Sequence, residues 1–80
     1  PGDAVLITGG AGGLGRLFAR HLAGLGANVA LVGRSAWDAA AGPPEALGGP
    51  GAVEYWQADV TDGAALDRAV ADVTRRFGPL

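Results

Sequence analysis

The apolar positions of this 80-residue chain fall into two kinds of run, and the alternation between them predicts its elements. Ala4-Val5-Leu6-Ile7 is short, partly β-branched and stopped by Thr8-Gly9-Gly10. It has the length of a strand buried on both faces of a parallel sheet. From Leu14 the spacing changes. Leu14, Leu17, Phe18, Leu22 and Leu25 follow a helical period, which predicts an apolar core-facing stripe on a helix ending at Gly26. Asn28 to Val32, closed by Gly33, predicts a second buried strand, and Val53 to Gln57 a third with mixed facing. A second helix follows, with Leu66, Ala69, Val70, Val73 and Phe77 on one face. Thr61 or Asp62 is its N-cap candidate, and Arg75, Arg76 and Gly78 suit its C-terminal end.

Between the second and third strands the pattern is weaker. Ser35 can cap a short helix over Ala36 to Ala41, which Gly42-Pro43-Pro44 would end. Gly48-Gly49-Pro50-Gly51 then requires a loop. The order is therefore β-α-β-(short α)-β-α, which implies parallel pairing. The expected fold class is α/β: the N-terminal portion of a doubly wound, nucleotide-binding parallel sheet. Phe77-Gly78-Pro79-Leu80 would lead into a fourth strand.

Composition narrows the functions on offer. Hydrophobic residues make up 49% and charged residues 18%, with a net charge of −2, so neither charge-driven disorder nor a basic nucleic-acid surface is expected. A domain this small buries only about 60% of its unfolded surface and would be marginal alone. There is no Cys, which excludes disulfides, thiolate metal sites and Cys nucleophiles. No apolar run is long enough for a membrane span and Pro1-Gly2-Asp3 is not a signal peptide, so a cytoplasmic location is expected. Seven of the 15 Gly lie between Gly9 and Gly26, which marks a turn with special backbone needs.

That turn carries the chemistry. Thr8-Gly9-Gly10-Ala11-Gly12-Gly13-Leu14-Gly15 joins the first strand to the first helix and contains Gly10-x-Gly12-x-x-Gly15. Glycines permit a tight turn, let the backbone approach a pyrophosphate and let the helix pack closely on the strand. The helix N-terminus then faces the phosphates. The strand–turn–helix setting makes this Rossmann-like fingerprint specific. A P-loop is excluded, because all six basic residues are Arg and no Lys follows the glycines.

The end of the second strand reads the ribose. An NAD-preferring site usually has Asp or Glu there, whereas this chain has Gly33-Arg34-Ser35. Arg34 would attract a 2′-phosphate and Ser35 could donate to it, so the expected cofactor is NADP(H). The competing reading makes Arg34 a solvated loop residue and Ser35 a helix cap. His21, the single His, is expected to pack within the helix stripe. Tyr55 is no catalytic candidate, since the position four residues on is Asp59 rather than Lys. Trp37 and Trp56 read as packing aromatics, and Asp72–Arg76 as a surface pair.

The Thr8-Gly9-x-x-x-Gly13-x-Gly15 wording resembles the short-chain dehydrogenase/reductase superfamily. Leu6 to Gly15, Val32-Gly33-Arg34-Ser35, Ala58-Asp59-Val60-Thr61-Asp62 and Phe77-Gly78-Pro79-Leu80 together look like the ketoreductase domains of modular polyketide synthases and related fatty acid synthases. Residues 37–52 depart from that pattern, with a Gly/Pro-rich stretch in place of much of a helix. The resemblance implies that residues 1–80 are the N-terminal NADP-binding part of a ketoreductase-type Rossmann domain. It also implies that Gly9, Gly10, Ala11, Gly12, Gly13 and Leu14 hold the pyrophosphate. Asp59 would accept from the adenine amino group and Val60 would pack beside the ring; the bland alternative is that Asp59 satisfies loop N–H groups.

The parent protein would reduce β-ketoacyl chains tethered to an acyl carrier protein. Its Ser, Tyr and Lys would lie beyond residue 80, so no catalytic residue and no metal ligand is assigned within this chain. Its expected partners are that tethered substrate and the rest of the parent polypeptide, with no nucleic acid and no membrane. Two other readings stay open: another NADP-dependent short-chain reductase, or a non-catalytic dinucleotide-binding half-domain.

Overall fold

The computed structural model describes residues 2–9, 12–38, 40 and 42–80. Three strands, β1 (Ala4–Thr8), β2 (Asn28–Gly33) and β3 (Val53–Gln57), form one sheet in the order β1-β2-β3. Both pairings are parallel, with Ile7 beside Leu31 and Leu31 beside Tyr55. Helix α1 (Gly13–Gly24) connects β1 to β2, and α2 (Gly63–Phe77) follows β3. The chain is thus the α/β, Rossmann-like arrangement that its alternating pattern predicted.

Strand alternation divides the residues between two faces. Val29, Leu31 and Val53 join Ala19 and Ala23 of α1 in the core cluster, with Ile7, Leu22, Trp37, Leu47 and Tyr55 packed around it. The opposite positions of the sheet turn toward α2, which packs on β1 and β2. There Trp56 meets Phe77 edge-on at 6.0 Å, and Glu54 pairs with Arg76 Nε at 2.5 Å. Ala69 and Val73 are the buried residues of α2, on its predicted face. Burying side chains such as Leu31, Val29 and Val73 completely contributes about 1.5–3 kcal/mol each.

Helix α1 reverses one expectation. Leu14, Leu17, Phe18 and Leu25 are 50–67% exposed, and His21 is exposed with them rather than packed. The face on the sheet is instead Gly15, Ala19 and Ala23, assisted by Leu22. These residues recur every four positions, so they form one row along the helix. Their small side chains let the helix lie close to β2, and a row of leucines would hold it away. Strand β1 is also only half-buried, while β2, paired on both sides, is the strand buried from Val29 to Gly33.

The β2–β3 connection differs as well. Residues 36–38 are in no helix, so Ser35 caps none there, and positions 39 and 41 lie outside the described residues. A 3-10 turn occupies Pro44–Leu47, with Pro at its start. The chain then re-enters the sheet through tight backbone contacts. Gly51 N–H donates to the Ala23 carbonyl at 3.0 Å, and Ala52 N–H to Asn28 Oδ1 at 3.0 Å. A Cβ on Gly51 would stand 1.7 Å from the Ala27 carbonyl oxygen, so only glycine fits. On α2, Asp72 pairs with Arg75 rather than with Arg76, whose partner is Glu54. Among the described residues no helix is long and apolar enough to cross a membrane.

Candidate functional site

The C-terminal ends of the three parallel strands lie side by side, and each delivers a loop with its own chemistry. At the end of β1, Gly9 has φ +69°, a left-handed conformation that favours glycine. Gly10 and Ala11 lie outside the described residues. Gly12 then occupies the N-cap of α1 with extended backbone, and no side chain caps the helix. No acidic residue stands in its first turn. The first N–H groups of an α-helix have no intrahelical acceptor, and the dipole adds partial positive charge there. A Cβ on Gly13 would meet nothing within 4 Å among the described residues, and Gly13 borders a separate cavity of about 260 Å³ with Arg16, Leu17, Arg20 and Leu47. Leu14 follows, 67% exposed.

At the end of β2 the chain passes Gly33 to Arg34 and Ser35, both exposed. Arg34 takes no part in the ion pairs found among the described residues, Arg75–Asp72 and Arg76–Glu54. At the end of β3, Asp59 folds back on the turn. Its Oδ1 accepts from the Thr61 hydroxyl at 2.6 Å and from the Thr61 N–H at 2.9 Å. Those two bonds, the hydroxyl first, hold the Asp59 carboxyl below the ordinary carboxylate range, with Arg34 adding to the effect. Asp59 is therefore a loop-satisfying carboxylate, and it remains at the rim of the site. Val60 beside it is 39% exposed.

A cavity of about 250 Å³ draws these ends together, lined by Gly9, Gly33, Arg34, Ala58, Asp59, Val60 and Thr61. Four residues expected from the sequence, Gly9, Arg34, Asp59 and Val60, thus share one wall. Gly12, Gly13 and Leu14 sit outside that lining at the start of α1, and Ser35 is likewise outside it. Gly33, Ala58 and Thr61 belong to the cavity and were not anticipated. Thr61 was legible in principle, because Asp-x-Thr is a local hydrogen-bonding pattern. The larger cavity, about 420 Å³, lies at the opposite end of β3 around Gly48–Val53, Glu45, Glu54 and Arg76, away from the glycine turn.

Behind the cavity stands an aromatic group. The Tyr55 hydroxyl donates to the Ser35 carbonyl, and Gln57 Nε2 donates to the Arg34 carbonyl at 3.2 Å. Trp37 lies 5.1 Å from the Tyr55 ring, and the Arg16 guanidinium is 4.2 Å from the Trp37 ring centroid. Burial pushes the Tyr55 phenol upward in pKa.

Known proteins share this fold. Residues 3–80 match the short chain dehydrogenase family. The chain is 45% identical to a segment of the polyketide synthase ThaG of Burkholderia thailandensis and 42% identical to a segment of the polyketide synthase PksM of Bacillus subtilis. Each match covers 99% of this chain and 2% of the synthase. Among solved structures, a short-chain dehydrogenase/reductase variant from Serratia marcescens superposes with a TM-score of 0.83 at 34% identity, over 99% of this chain and 33% of that one. An NADH-dependent reductase complexed with NAD superposes with a TM-score of 0.79 at 29% identity, over 98% and 33%. The chain spans about a third of the dehydrogenases it matches and a small fraction of the synthases. It belongs to the short-chain dehydrogenase/reductase superfamily, and within that family it is similar to segments of polyketide synthases.

Proposed function

We propose that residues 1–80 are the NADP(H)-binding part of a β-ketoacyl reductase, within a longer polypeptide that reduces carrier-protein-bound β-ketoacyl chains in polyketide or fatty acid synthesis in the cytoplasm. The observation that carries the cofactor reading is Arg34. It directly follows β2, lines the same cavity as Gly9 and Val60, and stands where a carboxylate would favour an unphosphorylated ribose. The start of α1, with no side-chain cap and no acidic residue in its first turn, suits a pyrophosphate.

In this reading the backbone of Gly9 to Leu14 holds the pyrophosphate, Arg34 and Ser35 hold the 2′-phosphate, and Asp59 and Val60 border the adenine. With Asp59 Oδ1 engaged by Thr61, adenine recognition would use the other carboxylate oxygen. NADPH, when bound, supplies the hydride. This chain binds and orients; a Lys for the proton chemistry has to come from elsewhere in the parent polypeptide, because the 80 residues contain none.

The test is a titration of the complete parent polypeptide with NADPH and NADH. NADPH should bind at least tenfold more tightly, as expected for a charge-assisted contact, and Arg34→Ala should remove most of that preference. Equal affinities, or an unchanged preference in Arg34→Ala, would refute it. A β-ketoacyl thioester on a carrier protein, compared with the free thioester, tests the substrate reading.

A further inference from the structure

We infer that Tyr55 and Gln57 are positioning residues that set the Arg34-Ser35 strand end for reading a 2′-phosphate. The inference rests on the proposed role of Arg34 and adds how that residue is held. The two side chains assigned to the phosphate are accompanied by two backbone carbonyls, and a carbonyl oxygen turned toward a phosphate repels it. Both carbonyls are tied back to β3. Gln57 Nε2 donates to Arg34 O at 3.2 Å, and the Tyr55 hydroxyl donates to Ser35 O. Tyr55 and Gln57 are alternate residues of one strand, so a single face of β3 supplies both donors.

Gly33 makes room for this. A Cβ there would approach the Tyr55 hydroxyl oxygen to 2.6 Å and its ring carbons to 3.2–3.3 Å. The missing side chain at the end of β2 is what lets the phenol reach across to Ser35. Trp37 braces the loop from the far side. Its ring tilts against Tyr55 at 5.1 Å, takes the Arg16 guanidinium at 4.2 Å, and its indole N–H donates to the Gly42 carbonyl at 2.7 Å. The exposed loop is thereby fastened to α1 and β3. None of Tyr55, Gln57 or Trp37 lines the cavity, so they act through Arg34 and Ser35. Ordering the loop before the ligand arrives reduces the entropy lost on binding.

The experiment uses the complete parent polypeptide and two probes without nicotinamide, adenosine 2′,5′-bisphosphate and 5′-AMP, measured by calorimetry. Tyr55→Phe keeps the ring and removes the hydroxyl. It should weaken the bisphosphate about fivefold, in the range of one lost hydrogen bond, and 5′-AMP less than about twofold. Gln57→Met should act in the same direction and more weakly. Gly33→Ala, which displaces the hydroxyl without altering Tyr55, should reproduce the selective loss. Equal losses for both probes, or unchanged bisphosphate binding in Tyr55→Phe, overturn the inference. Arg34→Ala separates the causes. If it weakens the bisphosphate while Tyr55→Phe does not, positioning alone is wrong; if it has no effect, the 2′-phosphate reading fails with it.

Discussion

The two helices of this molecule begin in opposite ways. At the start of α2, Asp62 Oδ1 accepts from the N–H groups of Ala64 at 3.1 Å and Ala65 at 3.3 Å. At the start of α1, Gly12 offers no side chain, and no carboxylate stands in the first turn. One end is closed by the protein's own anion. The other has the same dipole and no side-chain cap among the described residues, at the C-terminal edge of the sheet where ligands of such folds bind. In the proposed reading, the difference separates a helix start that serves stability from one that serves binding, within a single chain.

Supplying α1 with the cap it lacks is the strongest way to break that contrast. Gly12 has φ −80° and ψ 167°, and a Cβ there would lie an ordinary 3.7 Å from the Gly9 carbonyl oxygen. Gly12→Asp should therefore fold, gain a few tenths of a kcal/mol in thermal unfolding, and lose on the order of 100-fold in NADPH affinity. Retained affinity would remove the pyrophosphate from α1. The reciprocal change is smaller. Asp62→Ala should cost about 1 kcal/mol in denaturant unfolding and leave the NADPH dissociation constant unchanged. A shared loss of affinity would mean that the two ends are not separate.

The smallest effect is electrostatic. Thr61→Val removes the hydroxyl that holds the Asp59 carboxyl below its ordinary range. In a carboxyl-resolved NMR titration its pKa should rise toward that of an ordinary Asp. A depressed folded-state pKa stabilises the protein above the unfolded pKa, and that contribution is lost as pH falls through the lowered value. The Thr61→Val protein should accordingly show less loss of stability between those two values. An unmoved pKa would assign the shift to the backbone N–H of residue 61 and to Arg34.

Strands, helices and the glycine turn were legible because each is written locally, in short apolar runs, in a helical spacing and in a cluster of glycines. The inner face of α1 was not. Leu14, Leu17, Phe18 and Leu25 satisfy a helical period, yet the row on the sheet is Gly15, Ala19 and Ala23. Hydropathy ranks leucine above alanine, whereas close helix–sheet packing selects for small size. The four-residue repeat of small residues directly after the glycine turn was the available signal. The Tyr55–Ser35 link was illegible for another reason. It depends on Leu31 standing beside Tyr55 in the parallel register, and that register exists only once the sheet has formed. Of the site itself, the sequence pattern pointed to the strand ends and left two readings of Asp59 open, and the structure shows its Oδ1 engaged by Thr61.

The re-entry into β3 has a practical consequence for engineering. Gly51 is seated on the Ala23 and Ala27 carbonyls, and Ala52 is held by Asn28, so the start of β3 is indexed by backbone atoms of the α1–β2 corner. The stretch leading into that anchor is held as well, with Leu47 packed on the core cluster and the Gly49 N–H donating to the Gly51 carbonyl at 3.0 Å. A peptide tag or reporter inserted there would disturb the entry of β3 and, through it, the strand end it delivers, so a label for following nucleotide capture by fluorescence belongs away from this corner.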